Sequence, residues 1–246
     1  MQIDRPQGLW ERTVHIWAIQ TKVPSAAVAQ CEECLTPEEV TRAARFGLDG
    51  PRHSFIVARG SLRRLLGKYL AADPLGIPLA YTPKGKPVLA LDTRMNFNVT
   101  HSSDMAAIAL ALDCRIGIDL EEIRPLPDLE DIAKRFFCSE ESAEILSYSA
   151  RERESSFFRC WTRKEAYIKA VGEGLHMPLD SFRVAVKSGD CAKFIHIGGD
   201  AKAAEAWTLH DLNLASNCAA AVAYEDRVRS LTVFPVDDPV EFLTGS

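Results

Sequence analysis

Apolar and polar residues recur along the chain with two different periods. Residues 13–20 read as a strand. Thr36-Pro37-Glu38-Glu39 reads as a helix start, with Thr as N-cap, Pro in the first turn and Glu three residues on. Over residues 52–69, Phe55, Leu62, Leu66 and Tyr69 fall on one face and predict a long helix. Residues 96–100, 105–112 and 115–121 read as three strands. Asp113-Cys114 offers a tight turn between the last two, which predicts an antiparallel hairpin there. Residues 126–137 and 139–147 look helical, and residues 152–171 form a second long helix closed by Gly172. Residues 181–186, 193–197, 205–212 and 218–224 are strand-like. Each half pairs a long helix with strands, which is an α+β pattern. No internal repeat, low-complexity tract or Gly-rich phosphate loop is visible, and Gly172-Glu173-Gly174 has neither the spacing nor the place of one.

Two of these elements carry candidate chemistry. In Gly117-Ile118-Asp119-Leu120-Glu121, period two sends Ile118 and Leu120 into a core and brings Asp119 and Glu121 out together on the other, exposed face. On the helix of residues 152–171, Phe157, Trp161 and Ile168 share a core stripe, and Glu165 and Lys169 sit one turn apart beside it. If strand and helix meet, three carboxylates and one ammonium converge. Hard oxygen donors in that number suit Mg²⁺ bound together with substrate phosphates. Taken alone, either pair reads better as a solvated strand face or a surface ion pair.

Composition narrows the class. The chain has 246 residues, 47% hydrophobic and 26% charged, which are ordinary globular values. The longest purely apolar run, residues 105–112, is far too short to cross a bilayer, and residues 1–6 do not form a signal peptide, so a cytoplasmic protein is expected. Seven scattered cysteines argue for free thiols, and Cys31 and Cys34 have no second pair with which to complete a zinc site; they are read as lying on one helix turn. The net charge of -5 divides into +3 over residues 1–118 and -8 over residues 119–246. The basic excess lies in residues 36–70, where Arg42, Arg45, Arg52, Arg59, Arg63, Arg64 and Lys68 face Glu38, Glu39 and Asp49. That clustering suits an anionic partner, while the overall acidity argues against nucleic acid.

Upstream of the acidic strand stand Gly85-Lys86-Pro87 and Asn96-Phe97-Asn98-Val99-Thr100-His101-Ser102. The order Gly-Lys-Pro, Phe-Asn-x-Thr-His-Ser, Gly-Ile-Asp-x-Glu, Trp-x-x-Lys-Glu-x-x-x-Lys resembles the 4'-phosphopantetheinyl transferases of the larger, single-chain Sfp type. The motif block spans residues 85–175, with weaker similarity over nearly the whole chain. The resemblance implies two similar α/β halves related by a pseudo-two-fold, a long helix on an antiparallel sheet in each, with the active site in the cleft between them. With the boundary set at the Pro-containing segment of residues 122–127, the halves run 1–121 on the nucleotide side and 122–246 on the metal and carrier side.

The implied reaction moves the phosphopantetheine arm of coenzyme A to a serine hydroxyl of an apo carrier protein, and 3',5'-ADP leaves. The resemblance makes Asp119, Glu121 and Glu165 the Mg²⁺ ligands, and Glu165 also the base, directly or through water. Lys169 corresponds to the family's pyrophosphate-binding lysine and His101 to a histidine on coenzyme A phosphates, with Ser102 beside it. Lys86 corresponds to the segment near the adenine nucleotide. Arg42 and Arg52 fall near positions that grip the 3'-phosphate, and Glu39 stands where many relatives are basic. Lys164 belongs to the motif and Glu141 matches an acidic position of relatives, while Trp161 reads as core. Docking of an acidic, helical carrier is expected from Lys134 and Arg135 with Leu126, Leu129 and Phe136. The chain is expected to be a monomer. Competing readings are a Mg²⁺-dependent nuclease and a carrier-binding protein without catalysis. Release of 3',5'-ADP from coenzyme A, as against cleavage of plasmid DNA or binding without turnover, separates the three.

Overall fold

The computed structural model describes residues 11–174, 177–187 and 189–237. Residues 1–6, read above as not forming a signal peptide, and the last residue of the motif block lie outside them. The chain divides into two compact units. One comprises Met1–Ala80, Pro87–Asp113 and Ser230–Ser246, the other Tyr81–Lys86 and Cys114–Arg229.

In the first unit, strands β1 (Thr13–Gln20), β4 (Met95–Ser102), β5 (Met105–Leu112) and β11 (Ser230–Val236) form a sheet ordered β11-β1-β5-β4. β1 pairs antiparallel with β5 but parallel with β11. Helix α3 (Asp49–Leu70) packs on this sheet, burying Phe55, Leu62 and Leu66 with Ile19, Phe97, Ile108 and Leu110. These include three of the four residues that the helical period selected. The fourth, Tyr69, is half-buried because its hydroxyl bonds His15 Nδ1 at 2.6 Å and accepts from Trp17 Nε1 at 3.1 Å. Helices α1 (Ser25–Glu32) and α2 (Pro37–Ala43) lie against α3. α2 has the expected capping box between Thr36 and Glu39. α1 and the short strands β2 (Leu79–Tyr81) and β3 (Pro87–Leu89) were not anticipated.

In the second unit, β6 (Ile116–Glu122), β10 (Cys218–Tyr224) and β9 (Thr208–Asp211) form an antiparallel sheet ordered β6-β10-β9. Helix α6 (Ala150–Val171) covers one face, packed on β6 and β10. Gly172, at φ 86°, ends it as predicted. Helices α4 (Leu129–Phe136), α5 (Ser139–Ser147) and α7 (Ala201–Ala204), with the strand pair β7 (Phe182–Val184) and β8 (Phe194–Ile197), complete the unit.

The α+β class stands, and each unit holds a 22-residue helix on a sheet. Three expectations change. The hairpin is β4–β5, not β5–β6: β1 and β4 occupy both edges of β5, so β6 pairs with β10 instead. Asp113, in a left-handed conformation at φ 53°, turns the chain away at that point. The compact units change over at Asp113/Cys114, and also at Ala80/Tyr81, Lys86/Pro87 and Arg229/Ser230, so neither is one continuous stretch of chain like the halves 1–121 and 122–246 expected above. The sheet of the first unit is also not wholly antiparallel, because β11 returns from the C-terminal side to lie parallel to β1. All seven cysteines are free thiols; Cys31 lies in α1, whereas Cys34 follows it.

Candidate active site

The site in the second unit starts from a glycine. A Cβ on Gly117 would lie 2.1 Å from the Ala166 carbonyl oxygen and 2.3 Å from the Ala170 nitrogen. Without a side chain there, α6 settles directly on β6. By the two-residue period, the face of β6 that meets α6 carries Gly117, Asp119 and Glu121. Across the ladder, β10 presents Ala223, Ala221 and Ala219 at the same levels, small enough to leave the helix room. The face expected to be exposed is therefore covered. Asp119 is 4% exposed, as buried as Ile118 and Leu120 on the opposite face.

This contact brings the predicted residues together. Lys169 Nζ lies 2.5 Å from Asp119 Oδ1. Glu165, one turn earlier on α6, stands close enough to Asp119 and Glu121 for both to act on its charge. Burial, then Asp119 and Glu121, push its pKa up to about 7, against an opposing pull from Lys169. Glu121 remains partly exposed, with Arg124 at 3.8 Å. Glu165 Oε1 is buried without a hydrogen-bond partner among the described residues. The described residues hold no group of three or more His, Cys, Asp or Glu already at metal-binding spacing, and Lys169 meets one oxygen of Asp119. The donor set nevertheless fits a hard divalent cation. Three carboxylates repel one another here, and the unsatisfied Glu165 oxygen is a ligand atom waiting for a positive partner.

Lys86, in the segment expected near the adenine nucleotide, turns its side chain to the end of α6. Its ammonium is spent on the carbonyls of Ile116, Lys169 and Ala170. His101 and Ser102, at the end of β4, line a cavity of about 600 Å³ in the first unit, together with Thr21, Pro51, His53 and Ser54. Gly50, which also lines it, lies in the first turn of the 22-residue α3, where backbone N–H groups without helical partners favour anions, while Asp49 in that turn and Asp104 in the lining oppose them. Arg42 and Arg52 are not among the residues that line it. Arg42 lies over the Phe55 ring at 5.5 Å, and Arg52 pairs with Asp49 at 2.8 Å. The basic cluster is partly internal: Glu39 is buried between Arg63 at 2.5 Å and Arg59 at 3.7 Å, and Arg64 Nε donates to Cys34 Sγ at 3.0 Å.

Lys164 and Glu141 turn out to hold the fold. Both are fully buried and 2.7 Å apart. Lys164 also donates to the carbonyls of Leu179 and Phe182, and Glu141 accepts from the backbone N–H of Cys138 and Val184. Trp161 is half-buried, stacked on Phe157. Leu126, ahead of α4, packs against the core of the second unit; on α4, Leu129 is buried and Arg135 lies over the ring of Phe136, itself 39% exposed. Lys134 pairs with Glu130 at 2.6 Å. Sequence reasoning missed Gly117 as the contact that builds the site, although a glycine inside a strand is a sign of close backbone approach.

A buried acidic strand face under a helix that supplies a carboxylate and a lysine is a charge arrangement suited to phosphate chemistry. The sequence model of the 4'-phosphopantetheinyl transferase superfamily matches residues 115–223, and that of the 4'-phosphopantetheinyl transferase N-terminal region matches residues 23–112. The chain is 37% identical over 213 residues to 4'-phosphopantetheinyl transferase HetI of Nostoc sp., covering 85% of this chain and 86% of that one. It is 44% identical over 169 residues to 4'-phosphopantetheinyl transferase psf-1 of Bacillus pumilus, 69% of this chain and 71% of that one. It is 32% identical over 151 residues to 4'-phosphopantetheinyl transferase Sfp of Bacillus subtilis, 61% of this chain and 66% of that one. The chain belongs to the 4'-phosphopantetheinyl transferases, in the Sfp-type branch. Its activity is the coenzyme A-dependent transfer of phosphopantetheine to carrier proteins.

Proposed function

We propose that transfer takes place on the carboxylate cluster of β6 and α6, with Mg²⁺ held by Asp119, Glu121 and Glu165. The observation that carries this reading is the convergence of those three carboxylates with Lys169 in one partly buried group. Bound there, Mg²⁺ would neutralise pyrophosphate charge, which is the main need of phosphoryl-type transfer. Glu165 is the residue that takes the proton from the attacking serine hydroxyl, directly or through water. A carboxylate within hydrogen-bond reach of the hydroxyl, or one water away from it, can accept that proton as the bond to phosphorus forms. As the serine oxygen–phosphorus bond forms, the pyrophosphate P–O bond breaks and 3',5'-ADP leaves. Lys169 offsets the charge that builds on the leaving group. His101 and Ser102, with the N-terminus of α3, offer the donors for coenzyme A phosphates. Arg135 and Phe136 on α4 present an exposed cation and apolar ring to an acidic carrier.

Intact-mass analysis of a panel of apo carrier proteins, with coenzyme A and with Mg²⁺ or a chelator, tests the reading. Each accepted carrier gains one phosphopantetheine with Mg²⁺ present and none with the chelator. Asp119→Ala removes transfer by about a thousandfold or more while the protein stays folded. Near-normal turnover by folded Asp119→Ala at limiting Mg²⁺ would rule out the metal role.

A further inference from the structure

Gly85-Lys86-Pro87 was read as part of a nucleotide contact, and the structure gives its lysine another task. Gly85, at φ 85°, closes a tight turn in which its N–H donates to the Thr82 carbonyl at 2.8 Å. Thr82 and Lys86 bond each other twice: the Thr82 N–H donates to the Lys86 carbonyl, and the Lys86 N–H donates to the Thr82 hydroxyl. The turn aims Lys86 at the C-terminal end of α6. Its Nζ lies 3.1 Å from Ile116 O, 2.5 Å from Lys169 O and 3.2 Å from Ala170 O.

An ammonium has three donors, and all three are engaged. The carbonyls of Lys169 and Ala170 belong to the last four of α6, which have no partner within the helix. A cation at that end also meets the negative pole of the helix dipole. The third carbonyl belongs to β6, immediately before Gly117. One ammonium therefore bridges helix end and strand at the level where the missing Cβ lets them touch. Burial pushes its pKa down to about 8, and no carboxylate pairs with it among the described residues. Asp119 lies two residues beyond Gly117, and its partner Lys169 is the residue whose own carbonyl Lys86 holds.

We propose that Lys86 is a positioning residue for the transfer reaction: its ammonium ties α6 to β6, sets Glu165 and Lys169 against Asp119, and does not contact the nucleotide. The inference rests on the site reading given under Proposed function. The test uses the full chain with Lys86→Met, Lys86→Gln and, in parallel, Lys169→Ala. The readouts are kcat, KM for coenzyme A and for an apo carrier, and coenzyme A Kd and stoichiometry by calorimetry. Lys86→Met lowers kcat about a hundredfold, as a displacement near 1 Å does, with coenzyme A KM and Kd within about twofold of wild type. Calorimetric stoichiometry stays at the wild-type value, so a smaller folded fraction is not the cause. Lys86→Gln, which keeps an amide donor, recovers part of kcat, and it decides the matter if the Met variant does not fold. Coenzyme A Kd raised tenfold or more with kcat held would restore the nucleotide contact and overturn the proposal. Wild-type kcat in both Lys86 variants, with Lys169→Ala inactive, would overturn the proposal alone. Wild-type kcat in Lys169→Ala would overturn the site reading itself, and the proposal with it.

Discussion

Replacing Glu165 with Gln should make the metal-free protein more stable at pH 8 and leave it unchanged at pH 5. The carboxyl has a pKa of about 7 in the fold, against 4.5 ordinarily, because it is buried beside Asp119 and Glu121. Between those two values the native state binds more protons than the unfolded chain. Stability therefore falls as pH rises through this window, and the cost is complete above about 7. The full shift corresponds to about 3 kcal/mol. The side chain still touches solvent, so screening reduces this to about 1–2 kcal/mol. Glutamine keeps the shape and carries no charge at either pH. Urea denaturation of wild type and variant in chelator, at pH 5 and pH 8, reads the difference, since every other titrating group is common to both. Added Mg²⁺ at pH 8 should raise the wild-type midpoint more than that of the variant, because a cation bound to the native state stabilises it by mass action. Transfer activity should be lost in the variant at both pH values. Parallel pH profiles for the two proteins, or a variant less stable than wild type at pH 8, would refute the picture of three carboxylates crowded under α6.

Gly117→Ala places a methyl group 2.1 Å from a backbone carbonyl oxygen of α6. It should cost about 3 kcal/mol in a melting experiment and about a hundredfold in transfer rate; a native-like melt with full activity would show that helix and strand are not in contact there. Lys164→Met leaves Glu141 charged and buried, and should destabilise by about 3–5 kcal/mol in chemical denaturation. Adding Glu141→Leu should then restore much of the loss, whereas an additive double mutant would contradict a direct pair. Arg135→Glu should slow modification of an acidic carrier at low salt, with coenzyme A KM unchanged, and the defect should shrink as ionic strength rises. Arg135 makes no ion pair among the described residues, so an unaltered low-salt rate would move the docking surface elsewhere.

Lys164 and Glu141 bear on how the family's motif is understood here. Lys164 stands in the same run as Glu165 and Lys169, yet it points into the core to a carboxylate on α5 and to two carbonyls beyond α6. Residues one apart on a helix face directions about 100° apart, so adjacent motif positions serve different purposes. Lys164 holds α6 against the rest of the second unit, and Glu165 and Lys169 are thereby presented to β6.

The periodicity of the chain determined most elements, among them α3, α6, β1 and β10, because period and side-chain burial are local properties. The helix caps were equally legible: Thr36 with Glu39, and Gly172, act on backbone groups within one turn. The pairing of Asp119 and Glu121 with Glu165 and Lys169 was suggested by motif order, but their burial was not. Which face of β6 meets α6 depends on Gly117 and on the alanines of β10, which are a hundred residues away in sequence. The tertiary structure alone decided that β5 spends both edges on β1 and β4, and that β6 leaves to pair with β10. It alone decided that β11 returns beside β1. It also placed the Lys86 ammonium on carbonyls at the end of α6, because which carbonyls lie near an ammonium is set by packing and not by the residues on either side of it.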